Sequence, residues 1–231
     1  MLTIVKQRPV IFLARKRNPL LTLDFFKKIP SDALREIEKH LIERKCARQE
    51  TIFLEEDPAV FIWFVEEGHV KEVHHSVDGK SHIICMVGAD GMFGLSAFGG
   101  GNYGIHSVAE TDSRIFSFPI QAFQVLMGRY PELARAVLCR ISKLLRRSRD
   151  MQAFSQESAE KRLLQVLVEM VEEFGNVVPM TRREIAEMAG TAVETCIRVF
   201  SRLEQRGLMT SVHGKMIVKN PDSLKNLMRE L

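Results

Sequence analysis

Residues 181–206 hold the most restrictive pattern in this chain: two short helical stretches separated by a glycine-containing turn. Thr181 stands where a helix N-cap is expected, and Glu184 three residues later completes a capping box in which each residue satisfies an amide the other leaves orphaned. Ile185, Ala186 and Ala189 then recur on one face, and Gly190 ends the stretch. After Gly190-Thr191-Ala192 a second helix is expected from Val193 to about Arg206. It offers Val193, Ile197, Phe200, Ser201 and Leu203 for packing, while Glu194, Arg198 and Arg202 repeat every four residues. Two such helices joined by a tight turn form a helix-turn-helix.

The flanks agree with that reading. Ser158 opens an amphipathic helix to about Phe174, with Leu163, Leu164, Leu167, Met170 and Val171 on one face and Gly175-Asn176 closing it. Gly207-Leu208 stops the second helix of the pair, and Met209–Val218 reads as two short strands around His213-Gly214, a wing. Placed in a DNA major groove, the second helix presents its first residues to base edges. Glu194 then accepts from the amino group of cytosine, and Arg198, one turn on, donates two bonds to guanine. Thr181, Arg182, Thr191, Thr195, Arg202, His213 and Lys215 are candidates for phosphate contacts, which position the protein without reading sequence. Taken alone, Glu194 and Arg198 also suit an ordinary ion pair on a helix surface.

Upstream, the periodicity divides the chain. From Lys45 to Pro119 short apolar runs alternate with breaks at Gly68, Asp78-Gly79, Gly88–Gly91 and Gly99–Gly101, the pattern of a many-stranded antiparallel region. Asp78-Gly79, between Val70–His75 and His82–Met86, suits a tight hairpin. Ser31 and Asp32 are placed to cap a short helix through about Glu43. After Pro119 the period becomes helical: a short helix over Ile120–Met127, then a run from Pro131 to about Ser155 without Gly or Pro. Within it Ala134, Leu138, Ile141, Leu145, Ser148 and Gln152 recur at alternating steps of four and three, the spacing of a coiled-coil seam, which points to a parallel homodimer. A helix that packs only on its own domain is the competing reading. The expected fold is α+β: an N-terminal segment (1–23), a β-roll sensor domain (24–130), a dimerisation helix (131–156) and a winged helix-turn-helix domain (157–231).

Charge and composition narrow the function. The 231 residues carry 33 Lys plus Arg against 29 Asp plus Glu, a net +4 that is mild overall but concentrated in residues 140–149 and 181–231. Cys46, Cys85, Cys139 and Cys196 stand tens of residues apart, which favours neither a zinc ribbon nor a disulfide framework and suits a reducing cytoplasm. Cys85 and Cys139 lie in apolar surroundings and are expected to be buried and inert. No metal site is expected. The start of the chain, interrupted by Lys6, Arg8, Arg15, Lys16 and Arg17, does not read as a signal peptide, and no apolar run has the length of a membrane span. Paired carboxylates, a nucleophile–base set and a phosphate loop are absent at useful spacing, so an enzyme is not expected.

From Asp24 to the end the sequence resembles the CRP/FNR family of bacterial transcription regulators, named for the cyclic-AMP receptor protein and the fumarate and nitrate reduction regulator. The resemblance is most specific at Thr181-Arg-Arg-Glu-Ile-Ala186, Gly190-Thr-Ala-Val-Glu-Thr-Cys-Ile-Arg198 and Arg202-Leu-Glu-Gln-Arg-Gly-Leu208. It implies a β-roll with a cyclic-nucleotide-binding-like jelly roll, a dimerisation helix, a winged helix, a palindromic double-stranded DNA site and contact with RNA polymerase. It also implies base reading by Glu194 and Arg198. Val193 and Ile197 are the departures inside the recognition helix: Val193 stands where the cyclic-AMP type has Arg, and Ile197 where the FNR type has Ser. The region Phe93, Gly94, Leu95, Ser96, Tyr103 and His106, with Arg146 and Arg149, is the implied effector pocket.

The effector itself is not assigned by the resemblance. The Gly-Glu and Arg-Ser pairs of cyclic-nucleotide binders have no counterpart at Gly94-Leu95 or after Tyr103-Gly104, which disfavours cyclic AMP, since a buried phosphate needs a cationic partner. No cysteine precedes Cys46, which disfavours an FNR-type iron-sulfur cluster. Heme stays open, with His69, His74, His75, His82 and His106 as the histidines of the sensor region. Two other readings of the chain compete with a DNA-binding regulator: a ligand-binding protein with an ornamental winged helix, and an adaptor that binds a protein partner there.

Overall fold

The computed structural model describes residues 24–27, 29–76, 81–212 and 214–230. The segment 1–23, the expected Asp78-Gly79 turn and His213 lie outside the described residues. The described residues pack as two compact units, one holding those up to Glu72 with Met86–Val137 and the other those of Val73–Cys85 with the described residues from Leu138 onward.

The first unit begins with a 3-10 turn at Asp24–Phe26 and helix α1 (Ser31–Glu38). Pro30, not Ser31, holds the N-cap position, and the helix stops at Glu38, short of the expected Glu43. The reason is tertiary: β1 (Ile42–Cys46) pairs antiparallel with β8 (Ser113–Pro119) from Ile42↔Ser117 to Cys46↔Ser113, and that ladder overrides the helical pattern. The remaining strands are β2 (Thr51–Phe53), β3 (Phe61–Glu67), β4 (Val70–His75), β5 (Ser81–Val87), β6 (Met92–Phe93) and β7 (His106–Ala109), of which the end of β4 and most of β5 are assigned to the second unit. They form two four-stranded sheets of order β1-β8-β3-β6 and β2-β7-β4-β5, the β-roll expected from the sequence. The roll and α2 (Ile120–Arg129) share a core that includes Phe26, Phe64, Phe118 and Phe123; Phe118 and Phe123 meet edge to face with centroids 5.2 Å apart.

Helix α3 (Pro131–Ala153) is unbroken, as the absence of Gly and Pro requires. Three faces separate along it. Leu133 and Val137 are buried in the first unit, and Arg140 and Arg147 pair with acids of the next helix in the second. The expected seam is the second face: Leu138, Ile141 and Leu145 are 62%, 38% and 51% exposed, Ser148 and Gln152 are exposed, and Ala134 is half-buried. The third face carries Cys139, Lys143, Arg146 and Arg149, all exposed. The exposure of Cys139 corrects the expectation that it is buried: it lies two residues past buried Val137, about 200° round the helix. Cys46, Cys85 and Cys196 are buried, and desolvation pushes the Cys46 and Cys196 thiols up to about 11 and about 12, far from thiolate chemistry.

In the second unit α4 (Ala159–Phe174) is capped by the Ser158 side chain, which accepts from the Lys161 amide. It is followed by β9 (Val177–Val178), α5 (Arg182–Met188), α6 (Val193–Gln205), β10 (Met209–Val212), β11 (Lys215–Val218) and α7 (Pro221–Glu230). The wing is a three-stranded sheet of order β10-β11-β9. Its third member, β9, has only two residues and therefore carries no readable alternation.

Candidate nucleic-acid interface

The capping box forms as the sequence predicts. Glu184 Oε2 accepts from the Thr181 amide at 2.7 Å and from its hydroxyl at 2.8 Å, and Thr181 Oγ1 accepts from the Glu184 amide at 3.3 Å. The turn beyond α5 uses Gly190 at φ +57°. It is pinned by Arg162, whose Nε donates to the Ala189 carbonyl at 2.9 Å, Nη2 to the Gly190 carbonyl at 3.1 Å and Nη1 to the Glu157 carbonyl at 2.7 Å. A cation on the carbonyls that end a helix satisfies orphan acceptors and complements the dipole. The sequence reading missed Arg162, because its partners lie across the fold.

Cys196, Val199, Phe200 and Leu203 form the buried face of α6. Ile197, expected to pack, is 43% exposed instead, and Cys196 and Val199 take the core positions. The helix has one inward stripe of i, i+3, i+4, i+7 residues, and Ile197 falls about 100° beyond it. Outward therefore face Glu194, Ile197 and Arg198, with Val193 and Thr195 half-exposed beside them. Neither Glu194 nor Arg198 makes an ion pair or side-chain hydrogen bond among the described residues, so the competing surface pair does not form. Two charged groups are held outward without partners and with no role in the packing.

The phosphate candidates divide in two. Arg182 Nη2 donates to both Glu204 carboxylate oxygens at 2.9 Å and to Ser211 Oγ at 3.3 Å, tying α5 to α6 and the wing. Desolvation raises the Glu204 carboxyl, but hydrogen bonds from Ser211 and Arg182 outweigh it and hold the group below its ordinary value. Arg202 pairs with Glu160 of α4 at 2.7 Å. Both arginines are thus engaged in holding the domain together. Lys215 is exposed, Thr191 and Thr195 are half-exposed, and Thr181 spends its hydroxyl proton on Glu184. A cleft of about 340 Å³ between the start of α5 and the wing is lined by Thr181, Arg182, Arg183, Ser211 and Lys215 among others. Arg183, exposed and unpaired among the described residues, was not singled out from the sequence; only the fold sets it in the same cleft as Lys215.

In the β-roll the expected effector residues are built into an aromatic stack. Phe53 and Tyr103 stack with centroids 3.7 Å apart, and Phe93 stacks against Phe53 and Trp63. Trp63 Nε1 donates to the Tyr103 hydroxyl at 3.0 Å, and that hydroxyl donates to the Phe61 carbonyl at 2.8 Å. Burial raises the Tyr103 phenol above its ordinary value. Gly94 sits at φ +69° where a Cβ would lie 2.8 Å from Trp63 and 3.2 Å from Tyr103, and its amide donates to Glu72 at 3.0 Å. Ser96 Oγ donates to the Tyr103 carbonyl at 2.6 Å, and Leu95 beside it is half-buried. His106 accepts from the Glu55 amide and lies 3.5 Å from its carboxylate. Residues 93–106 contain no Arg or Lys, and rings occupy the space around Gly94, so this region does not fit a cyclic phosphate. Arg146 and Arg149 belong to the other unit. Of the histidines, His74, His75 and His82 are exposed and His69 is half-buried.

Comparison with known proteins places both regions. Residues 161–227 match the model of the Crp-like helix-turn-helix domain, and residues 43–130 that of the cyclic nucleotide-binding domain. The chain is 26% identical over 200 residues to the fumarate and nitrate reduction regulatory protein of Escherichia coli K12, covering 81% of this chain and 80% of that protein. The structure of FixK2 from Bradyrhizobium japonicum superposes with a TM-score of 0.73 at 23% identity, over 81% of this chain and 96% of that one. A CooA mutant from Carboxydothermus hydrogenoformans gives 0.70 at 17% identity, over 93% and 97%. The helix-turn-helix match and the regulatory relative favour DNA binding over the partner-protein and ligand-binding readings, and the family they point to consists of transcription regulators. No helix of the described residues is long and apolar enough to cross a membrane. This chain is a member of the CRP/FNR family of DNA-binding transcription regulators.

Proposed function

We propose that the chain acts in the cytoplasm as a homodimer, pairing two copies of α3 in parallel along Ala134, Leu138, Ile141, Leu145, Ser148 and Gln152. The observation that carries this reading is the apolar stripe: Leu138 and Leu145 are each more than half exposed on a helix whose buried residues, Leu133 and Val137, lie on another face. Two-fold symmetry then sets two α6 helices on a palindrome with half-sites about 34–36 Å apart, one turn of DNA. Glu194 and Arg198 read a C·G pair and its neighbour, Val193 and Ile197 contribute to the half-site, and Arg183, Lys215, Thr191 and Thr195 meet the backbone. RNA polymerase is the expected partner at the promoter.

The β-roll receives a small-molecule, gas or redox signal, which acts by binding the DNA-competent arrangement more tightly than the other. The aromatic closure around Gly94 supports an effector other than a cyclic nucleotide.

The test is selection of a binding sequence from random duplexes with the full chain, followed by Arg198→Ala. Loss of a bidentate guanine contact weakens binding by about 1–3 kcal/mol and relaxes the guanine preference in each half-site. Unchanged affinity and preference would remove Arg198 from base reading.

A further inference from the structure

Resting on the assignment of α6 as the reading helix, we propose that Ile197, supported by Val193 one turn before it, selects thymine by its C5-methyl group at a base pair next to the one Arg198 reads. The inward face of α6 is filled by Cys196, Val199, Phe200 and Leu203, each at most 2% exposed. Ile197 therefore contributes little to the core, and at 43% exposure it stands in water beside Glu194 and Arg198. A branched apolar side chain in that position gains nothing from solvent and is a weaker helix former than the charged residues beside it. Its free energy is recovered only when another apolar surface covers it.

The major groove offers one apolar group on its base edges, the thymine methyl; guanine and adenine show acceptors or donors, and cytosine an amino group. Ile197 discriminates in two ways. It gains by covering a methyl, and it leaves any polar edge set against it desolvated and unpaired, which is costly. Val193, four residues earlier and half-exposed, lies on the same side of the helix and widens this apolar strip beside the polar pair Glu194 and Arg198. The half-site then joins a base pair read by hydrogen bonds to one read by its methyl.

The experiment uses the full chain and its selected palindrome, with each thymine of one half-site replaced in turn by uracil, which removes only the methyl. At one position next to the guanine read by Arg198, uracil weakens binding about fourfold, the effect of one methyl returned to water, and about fifteenfold when both half-sites are changed. Ile197→Ala abolishes the difference between thymine and uracil at that position and keeps the guanine preference. A 5-methylcytosine at the same position recovers part of the loss seen with cytosine. If no position distinguishes uracil from thymine while Arg198→Ala still weakens binding, the thymine assignment is overturned and the reading role of α6 stands; the same holds if the methyl effect persists undiminished in Ile197→Ala. If no sequence is enriched, both assignments fall.

Discussion

Arg147 Nε of α3 lies 2.9 Å from Glu169 Oε2 of α4, with the two side chains 17% and 11% exposed, and Gln165 Nε2 donates to the other carboxylate oxygen at 2.8 Å. Arg140 and Glu173, 3.6 Å apart, repeat the connection two turns along. The helix proposed to pair two copies is thereby tied to α4, the helix that precedes the helix-turn-helix, by two ion pairs. Removing one partner strands the other in a poorly solvated place. Arg147→Met is expected to cost about 2–4 kcal/mol, below a fully buried pair because both groups keep some water, and Arg147→Met with Glu169→Leu is expected to recover most of it. Urea midpoints of the three proteins check this; equal loss in the single and double variants would count against the pair.

The same carboxylate makes stability depend on pH. Burial raises the Glu169 pKa despite the opposing Gln165 and Arg147, so the folded protein holds this proton more firmly than the unfolded chain. Its contribution is therefore fully present below the ordinary glutamate pKa and is lost as pH rises through the raised folded value. Glu169→Gln is expected to flatten that limb of the stability curve, read as unfolding midpoints across an acidic pH series.

The exposed stripe on α3 predicts the state of assembly. Leu138→Glu with Leu145→Glu places like charges opposite each other in a parallel pair and is expected to give monomers that keep the native circular dichroism. Sedimentation velocity reads the mass. Affinity for a full palindrome is expected to fall to that for a half-site, since two recognition helices no longer bind in one event.

Gly94 tests the aromatic closure of the β-roll. Its φ of +69° disfavours any side chain, and a Cβ meets Trp63 and Tyr103 at 2.8 and 3.2 Å. Gly94→Ala is expected to cost about 2–4 kcal/mol, from the left-handed backbone and the displaced rings together. Trp63 is the only tryptophan in the chain, so its fluorescence reports the disturbance directly.

Much of the fold was legible along the chain because its signals are local. The capping box at Thr181, the glycine at 190 and the unbroken run after Pro131 each act within a turn or two of helix. The early end of α1 and the short β9 were not legible, since a strand is completed by a partner: β1 by β8, and β9 by β11, where Val178 faces Met216. Exposure of Cys139 and Ile197 likewise depended on which face of each helix the rest of the chain covers.

The sequence by itself determined that a helix-turn-helix with a wing follows a long helix and a β-roll, and that Glu194 and Arg198 share a face. Only the tertiary structure decided which cations are free for DNA. Arg182 and Arg202 look on paper like Arg183 and Arg198, yet they are taken by Glu204 and Glu160, 22 and 42 residues away in the chain. The physical reason is range: helix caps and periodicity act over a few residues, whereas an ion pair or an aromatic stack exists only once folding has brought distant segments together.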